Sequence, residues 1–192
     1  MLLNLKVHGP FNILSETEDI LKKCPFAKDK GIYLWAAKLH SGTYKATYIG
    51  ETNRSFYHRT KEHLIQTLGG NYQVCDPEKL LNDEKEILWN GLLRTGTRTL
   101  MPQFIKQYPE LAPKMVSYLK TQVLFFIPLN LEKNCRRRIE SALAQTVLNH
   151  PEASRLLARD IRYLKPKIYE SSIAVNLIDH LKVKGLPRNF EA

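Results

Sequence analysis

One stretch, Gly31 to His63, limits the possible folds more than any other. It reads GIYLWAAKLHSGTYKATYIGETNRSFYHRTKEH. Aromatic and β-branched residues lie on either side of His40-Ser41-Gly42, the pattern of a strand, a tight turn and a second strand. A turn centred on His40 and Ser41 brings Tyr33 and Tyr48, fifteen positions apart, close together across an antiparallel pair. Side chains alternate faces along a strand, so two phenols then share one face of a hairpin. Ser55 to Leu68 reads as a helix stopped by Gly69-Gly70. Phe56, Thr60, Leu64 and Leu68 form an apolar stripe suited to packing on the sheet. Arg59 and His63, at i and i+4, share a face at the edge of that stripe.

Around this hairpin the chain reads as one α/β (α+β) domain over 1–192, built on a small central antiparallel sheet flanked by helices. Leu2 to Val7 alternates like a short strand, broken by His8-Gly9-Pro10. Ser15 with Glu18 has capping-box form and predicts a short helix to Cys24. Between residues 71 and 113 the pattern predicts helices over Pro77–Trp89 and Gln103–Tyr108. Gly91 to Thr99 reads as a loop with Arg94 and Arg98. Pro109 and Pro113 punctuate, and a further turn of helix covers Lys114–Leu119. Thr121 to Pro128 is a continuous apolar run, a buried strand. Leu131 to Leu148 is a long helix in which Ile139, Leu143 and Val147 repeat every four residues. Ala153–Ala158 reads as helix, Ile173–Ile178 as a last strand, and Gly185-Leu186-Pro187 as the start of a tail.

Composition narrows the function classes. The chain has 192 residues, 43% hydrophobic, which argues against disorder. A formal charge of +10 favours an anionic partner, nucleic acid before an anionic membrane. No apolar run is long enough to span a bilayer and no secretory signal is evident. Cys24, Cys75 and Cys135 are odd in number and far apart, without a CxxC pair. A zinc site or disulfide framework is therefore not expected, and a cytoplasmic location fits.

The residues that could do chemistry each have a plain alternative. Tyr33 and Tyr48 suit half-buried strand positions, and Arg59 with His63 suits a solvated helix face. Arg136, Arg137 and Arg138 form a charge run, ordinarily solvated, though such a run can also follow a phosphate backbone. Glu140 stands out: it lies beside Ile139 in an apolar helical stretch, where a carboxylate must be paired, hydrogen-bonded or bound to a cation.

Taken together, Gly31-Ile32-Tyr33, Tyr48-Ile49-Gly50, Arg59, His63 and Glu140 resemble the GIY-YIG nuclease family, which includes homing, restriction and excision-repair endonucleases. The resemblance spans about residues 31–149, with a long stretch between His63 and Thr121 interposed. It implies a core over about 28–150, an insertion over about 70–119 and an extension over 151–192. It also implies hydrolysis of a DNA phosphodiester by water to 5′-phosphate and 3′-hydroxyl ends, with one Mg²⁺ or Mn²⁺ held by Glu140 and no small-molecule cofactor. Under it Tyr33 is the general base or orients the water. A tyrosine near pKa 10 can act as a base only if positive charge from Arg59, Lys45 or the metal lowers that value. Arg59 holds the scissile phosphate, and Tyr48 and His63 position the water or relay its proton. Many members carry an asparagine after the glutamate helix, for which Asn149 and Asn176 are both candidates.

Two other classes stay open: a non-catalytic nucleic-acid-binding module on the same scaffold, and an enzyme of unrelated chemistry on the same sheet. No zinc finger or helix-turn-helix is evident, so any sequence preference falls to residues 71–120 or to the tail. A monomer that nicks and a homodimer that cuts both strands are equally compatible with the sequence.

Overall fold

A computed structural model describes residues 1–14, 24–93, 100–158 and 171–192. The expected Ser15 helix and the Arg94 and Arg98 positions lie outside the described residues. The architecture is α+β, with a four-stranded, wholly antiparallel sheet at its centre. Its strands are β2 (His8–Asn12), β3 (Gly31–Lys38), β4 (Tyr44–Thr52) and β7 (Gln122–Pro128), in the order β2-β7-β3-β4. Strand β1 (Leu2–Lys6) joins a second sheet, pairing parallel with β8 (Ala174–Ile178), which in turn pairs with β9 (Asn189–Glu191). Two short strands, β5 (Val74–Cys75) and β6 (Ile87–Trp89), make a ribbon of their own. The helices are α1 (Phe56–Leu68), α2 (Pro77–Leu81), α3 (Met101–Lys120) and α4 (Lys133–Asn149). Among the described residues no helix is long and apolar enough to cross a membrane.

The central sheet separates two cores because its side chains alternate. Ile32, Leu34, Ala36, Val123, Phe125 and Ile127 point to one side, where Ile139, Leu143, Ala144 and Val147 of α4 pack on them. Leu5, Val175 and Leu177 of the second sheet close the same core. Tyr33, Trp35, Leu124 and Phe126 point to the other side, where Phe56 stacks on Phe126 at 4.4 Å and Leu119 of α3 fills in.

Several local expectations give way to tertiary context. Strand β1 ends before His8 as expected, but His8-Gly9-Pro10 then opens β2: proline is tolerated there because β2 is an edge strand with an irregular register between His8 and Phe11. Pro77–Trp89 holds a five-residue helix and then strand β6, because β6 finds a partner in β5. Pro109 and Pro113 do not divide α3. They sit four residues apart on its exposed side, where water can satisfy the orphaned carbonyls, while Phe104, Leu111, Met115 and Leu119 hold one axis from the buried side. Ala153–Arg155 forms only a 3₁₀ turn. The tail returns as β9 on β8. Helix α1 buries Phe56 and Thr60 of the predicted stripe, but then His63 and Thr67, with Leu64 half-buried and Leu68 exposed, so His63 lies in the packed face and not at its edge.

Strand β4 is an edge, and an edge leaves backbone groups without partners. Three separate segments claim them. Lys184 N–H donates to Tyr44 O, Ala158 N–H to Thr47 O, and Glu51 N–H to a carboxylate oxygen of Glu140.

Candidate active site

Tyr33 and Tyr48 share a face, as the hairpin predicts, but as diagonal neighbours. Tyr33 pairs with Gly50 and Tyr48 with Trp35, because the turn covers Leu39–Thr43 and the register slips at Thr47. The bulged Thr47 hydroxyl donates to Trp35 O or lies against Gln122 Oε1 at 2.7 Å, which anchors the kink. The two phenol rings stack at 5.9 Å. Gly50 makes this possible. A Cβ there would lie 2.6 Å from both the Tyr33 oxygen and the Tyr48 ring. Gly31 has a matching reason at the other strand pair, where its φ is +151° and a Cβ would lie 2.2 Å from Ile127 O.

Helix α1 completes this face. Its start is fixed by Ser55, whose hydroxyl accepts from His58 N–H, so Arg59 and His63 are aimed at the sheet. Arg59 Nε donates to the Tyr33 oxygen at 2.9 Å, and His63 Nε2 lies 3.0 Å from the same oxygen. Arginine can only donate. The phenolic hydrogen is therefore available to His63 Nε2 or to Tyr48, which also shares a hydrogen bond with Tyr33. The His63 ring itself is neutral. Burial first and the Arg59 charge second push His63 down to about 3. The rings of Tyr33, Trp35, Tyr48 and Tyr72 surround it with centroids 5.1–5.5 Å away.

Tyr33 itself is 1% exposed, and burial with the neighbouring Tyr48 holds its phenol well above 10, against the pull of Arg59. Lys45 does not help, contrary to expectation. It is buried elsewhere on β4, bound to Asp83 Oδ2 at 2.6 Å and Glu152 O at 2.9 Å. Tyr48 is likewise shifted upward by burial.

Glu140 approaches from the opposite side of the sheet and meets this group around the free edge of β4. Its Oε1 accepts from Glu51 N–H at 3.1 Å, and it makes no ion pair among the described residues. Burial and the charge of Glu51 raise its carboxyl to about 7. Arg59 acts on it electrostatically, and it acts in turn on Tyr48, so the five candidates occupy one neighbourhood. The two asparagines do not join them. Asn149 is exposed nine residues beyond Glu140, about 13 Å along α4, and Asn176 is bound to Asn4 Oδ1 in the second sheet.

An under-compensated carboxylate fits a hard divalent cation, whose charge would oppose both Glu51 and burial. No group of three or more His, Cys, Asp or Glu residues gathers among the described residues. An ion here would therefore rest on Glu140 and take its other positions from water and phosphate oxygens, which suits Mg²⁺ or Mn²⁺.

Two contributors went unread in the sequence. Arg136 is not part of a solvated run: it is 1% exposed. Its Nε donates to Glu51 Oε2 at 3.2 Å, Nη2 to Asn53 Oδ1 at 2.9 Å, and Nη1 to Leu131 O. It thus ties the end of β4 to α4 and sets the strand on which Glu140 leans. The signal was its place on the stripe Arg136–Ile139–Leu143–Val147. Glu62 is the second, bound to Arg59 Nη1 at 2.6 Å and Arg54 Nη2 at 2.5 Å. Its i+3 spacing from Arg59 was the available clue. With Nε and Nη1 engaged, Arg59 presents Nη2 for any phosphate.

The chain matches no family model, no curated protein and no solved structure.

Proposed function

We propose that this protein is a metal-dependent DNA endonuclease of the GIY-YIG type, producing 5′-phosphate and 3′-hydroxyl ends. One observation carries it: the Tyr33 oxygen is held between Arg59 and His63, and Glu140, 107 positions along the chain from Tyr33, turns around the sheet edge into the same neighbourhood. A net charge of +10 suits a polyanionic substrate.

The chemistry follows from the hydrogen bonds. In the tautomer with His63 Nε2 unprotonated, the Tyr33 oxygen accepts from Arg59, donates to His63, and keeps one lone pair with which to accept a hydrogen from the attacking water. As the water oxygen bonds to phosphorus and the P–O3′ bond breaks, the water proton passes to Tyr33, the phenolic proton to His63 Nε2, and the departing 3′ oxygen takes a proton from solvent to become the 3′-hydroxyl. Tyr33 never has to be a free phenolate, which its burial forbids. His63 ends the relay, and the negative charge of a bound phosphodiester opposes the Arg59 charge, the lesser of the two causes that hold its value low. Arg59 Nη2 would orient a non-bridging phosphate oxygen. When bound at Glu140, a divalent ion supplies stabilisation of the charge that builds on the phosphate and on the departing 3′ oxygen.

The test is nicking of supercoiled plasmid with Mg²⁺ or Mn²⁺ by the wild type and Glu140→Ala. Metal-dependent cleavage that falls at least about 100-fold in the variant is expected. Salt-sensitive plasmid binding without cleavage in any divalent metal would leave only a binding module. Cleavage that survives in Glu140→Ala would remove Glu140 from the site.

A further inference from the structure

Behind the candidate site lies a cavity of about 570 Å³, within the range of ligand pockets. Its lining includes Trp35, Tyr48, His63, Tyr72, Gln73 and Asn90. Tyr48 and His63 belong to both places: one side of each faces the Tyr33 group and the other this cavity. Much of the remaining wall comes from residues 71–93, completed by Thr47, Thr67, Tyr118, Leu156 and Ala158, and the proposed chemistry uses none of these.

Trp35 carries an unexplained feature. The residue is 5% exposed, yet its indole Nε1 has no hydrogen-bond partner among the described residues. Tryptophan N–H groups that are buried almost always find an acceptor, and an orphan needs a reason. The chain's other tryptophan conforms, with Trp89 Nε1 donating to Gly70 O at 2.7 Å. That nitrogen has almost no accessible surface, so Trp35 lines the cavity by its other atoms and offers it no N–H.

We infer that this cavity receives a single nucleobase of the substrate strand, extruded from the stack beside the scissile phosphate. The inference rests on the nuclease proposal and adds a base-reading site to it. The chemistry fits a base in three ways. The walls are aromatic, so a planar ring can stack on Tyr48 or Tyr72. The Gln73 amide on the wall can donate and accept, as discrimination between bases requires. The shared wall of Tyr48 and His63 places the cavity next to Arg59 and Tyr33. Enzymes that bind an extruded base use such stacking with edge-on hydrogen bonds.

The test begins without metal, so that it is independent of cleavage. Each of the four 2′-deoxynucleoside 5′-monophosphates is titrated into the protein while tryptophan emission and the thermal midpoint are followed. At least one should quench emission saturably and raise the midpoint. Tyr72→Ala should weaken that binding about tenfold, the effect of one lost stacking partner. Gln73→Ala, on the cavity wall and outside the packed sheet, should change the order of preference among the four and serves if Tyr72→Ala fails to fold. A single-stranded oligonucleotide of mixed sequence should displace the bound monophosphate. Failure of all four to bind, in protein that still nicks plasmid, overturns the inference and leaves the nuclease proposal standing. Monophosphate binding that no oligonucleotide displaces also overturns it, since the cavity then serves a free nucleotide. Displacement by the oligonucleotide in protein that cuts nothing supports the base site and removes the nuclease proposal instead.

Discussion

The two faces of the central sheet are made from the same three strands and do opposite work. On the α4 side, Ile32, Leu34, Phe125 and Ile127 meet Ile139, Leu143 and Val147, and the contact is mostly aliphatic, wholly apolar and fully buried. On the α1 side, Tyr33, Trp35 and Tyr48 meet His63, Arg59 and a cavity. The first face concentrates stability. The second gathers buried polar groups whose pKa values are displaced, His63 to about 3 and Tyr33 upward, a state that only a rigid support can maintain. Glu140 belongs to the helix of the first face and serves the second.

The largest effect that could break this division lies in the aliphatic face. Leu143→Ala removes a fully buried side chain and should cost about 3–4 kcal/mol in denaturant unfolding, while cleavage per folded molecule stays near wild type. A comparable loss of specific activity would mean the faces are not separable.

Next comes the pH dependence of Glu140. Its folded value of about 7 lies above the ordinary 4.5, so the folded state holds an extra proton between those values. The stabilising share is complete below 4.5 and is lost as pH rises through 7, up to about 3 kcal/mol. Glu140→Gln keeps the acceptor for Glu51 N–H and removes the charge. It should therefore be more stable than wild type by up to about 3 kcal/mol at pH 8 in chelator, with the gain shrinking to under about 1 kcal/mol at pH 5. Unchanged stability at pH 8 would mean that the carboxylate is not strained. His63 runs the other way: its folded value lies below the ordinary 6.5, so its share is complete above 6.5 and is lost as pH falls towards 3.

Gly50→Ala sharpens the comparison on the polar face. A methyl 2.6 Å from the Tyr33 oxygen must displace that phenol, and plasmid cleavage should fall about 100-fold, with a melting loss of about 1–3 kcal/mol. Full activity would show that the phenol's position does not matter. The smallest effect is Arg54→Ala. Its ion pair with Glu62 is largely exposed, so stability should change by no more than about 0.5 kcal/mol.

Much of the skeleton was readable where signals are local. The β3–β4 hairpin, the Ser55 cap, β7 and α4 follow from turn residues and periodicity. What was not readable depends on partners far along the chain. Pro10 is acceptable because β2 is an edge, and Pro109 and Pro113 because their side of α3 faces water. Strand β6 exists because β5 is there to pair with it. The five candidate side chains could be named in advance, but their electrostatics could not. Burial overrides the expected effect of Arg59 on Tyr33, and Lys45 is spent on Asp83. Arg136 looked like surface charge because three arginines in a row hide which one faces inward.

The edge of β4 has a further consequence. The Glu51 amide has no strand beside it: its protection from solvent deuterium rests on one oxygen of Glu140. That amide therefore works as a gauge of the carboxylate. Whatever draws Glu140 away, whether a bound cation or a new rotamer, should speed exchange at Glu51 ahead of the ladder between β3 and β7, and a single backbone position would then reveal when the carboxylate has left it.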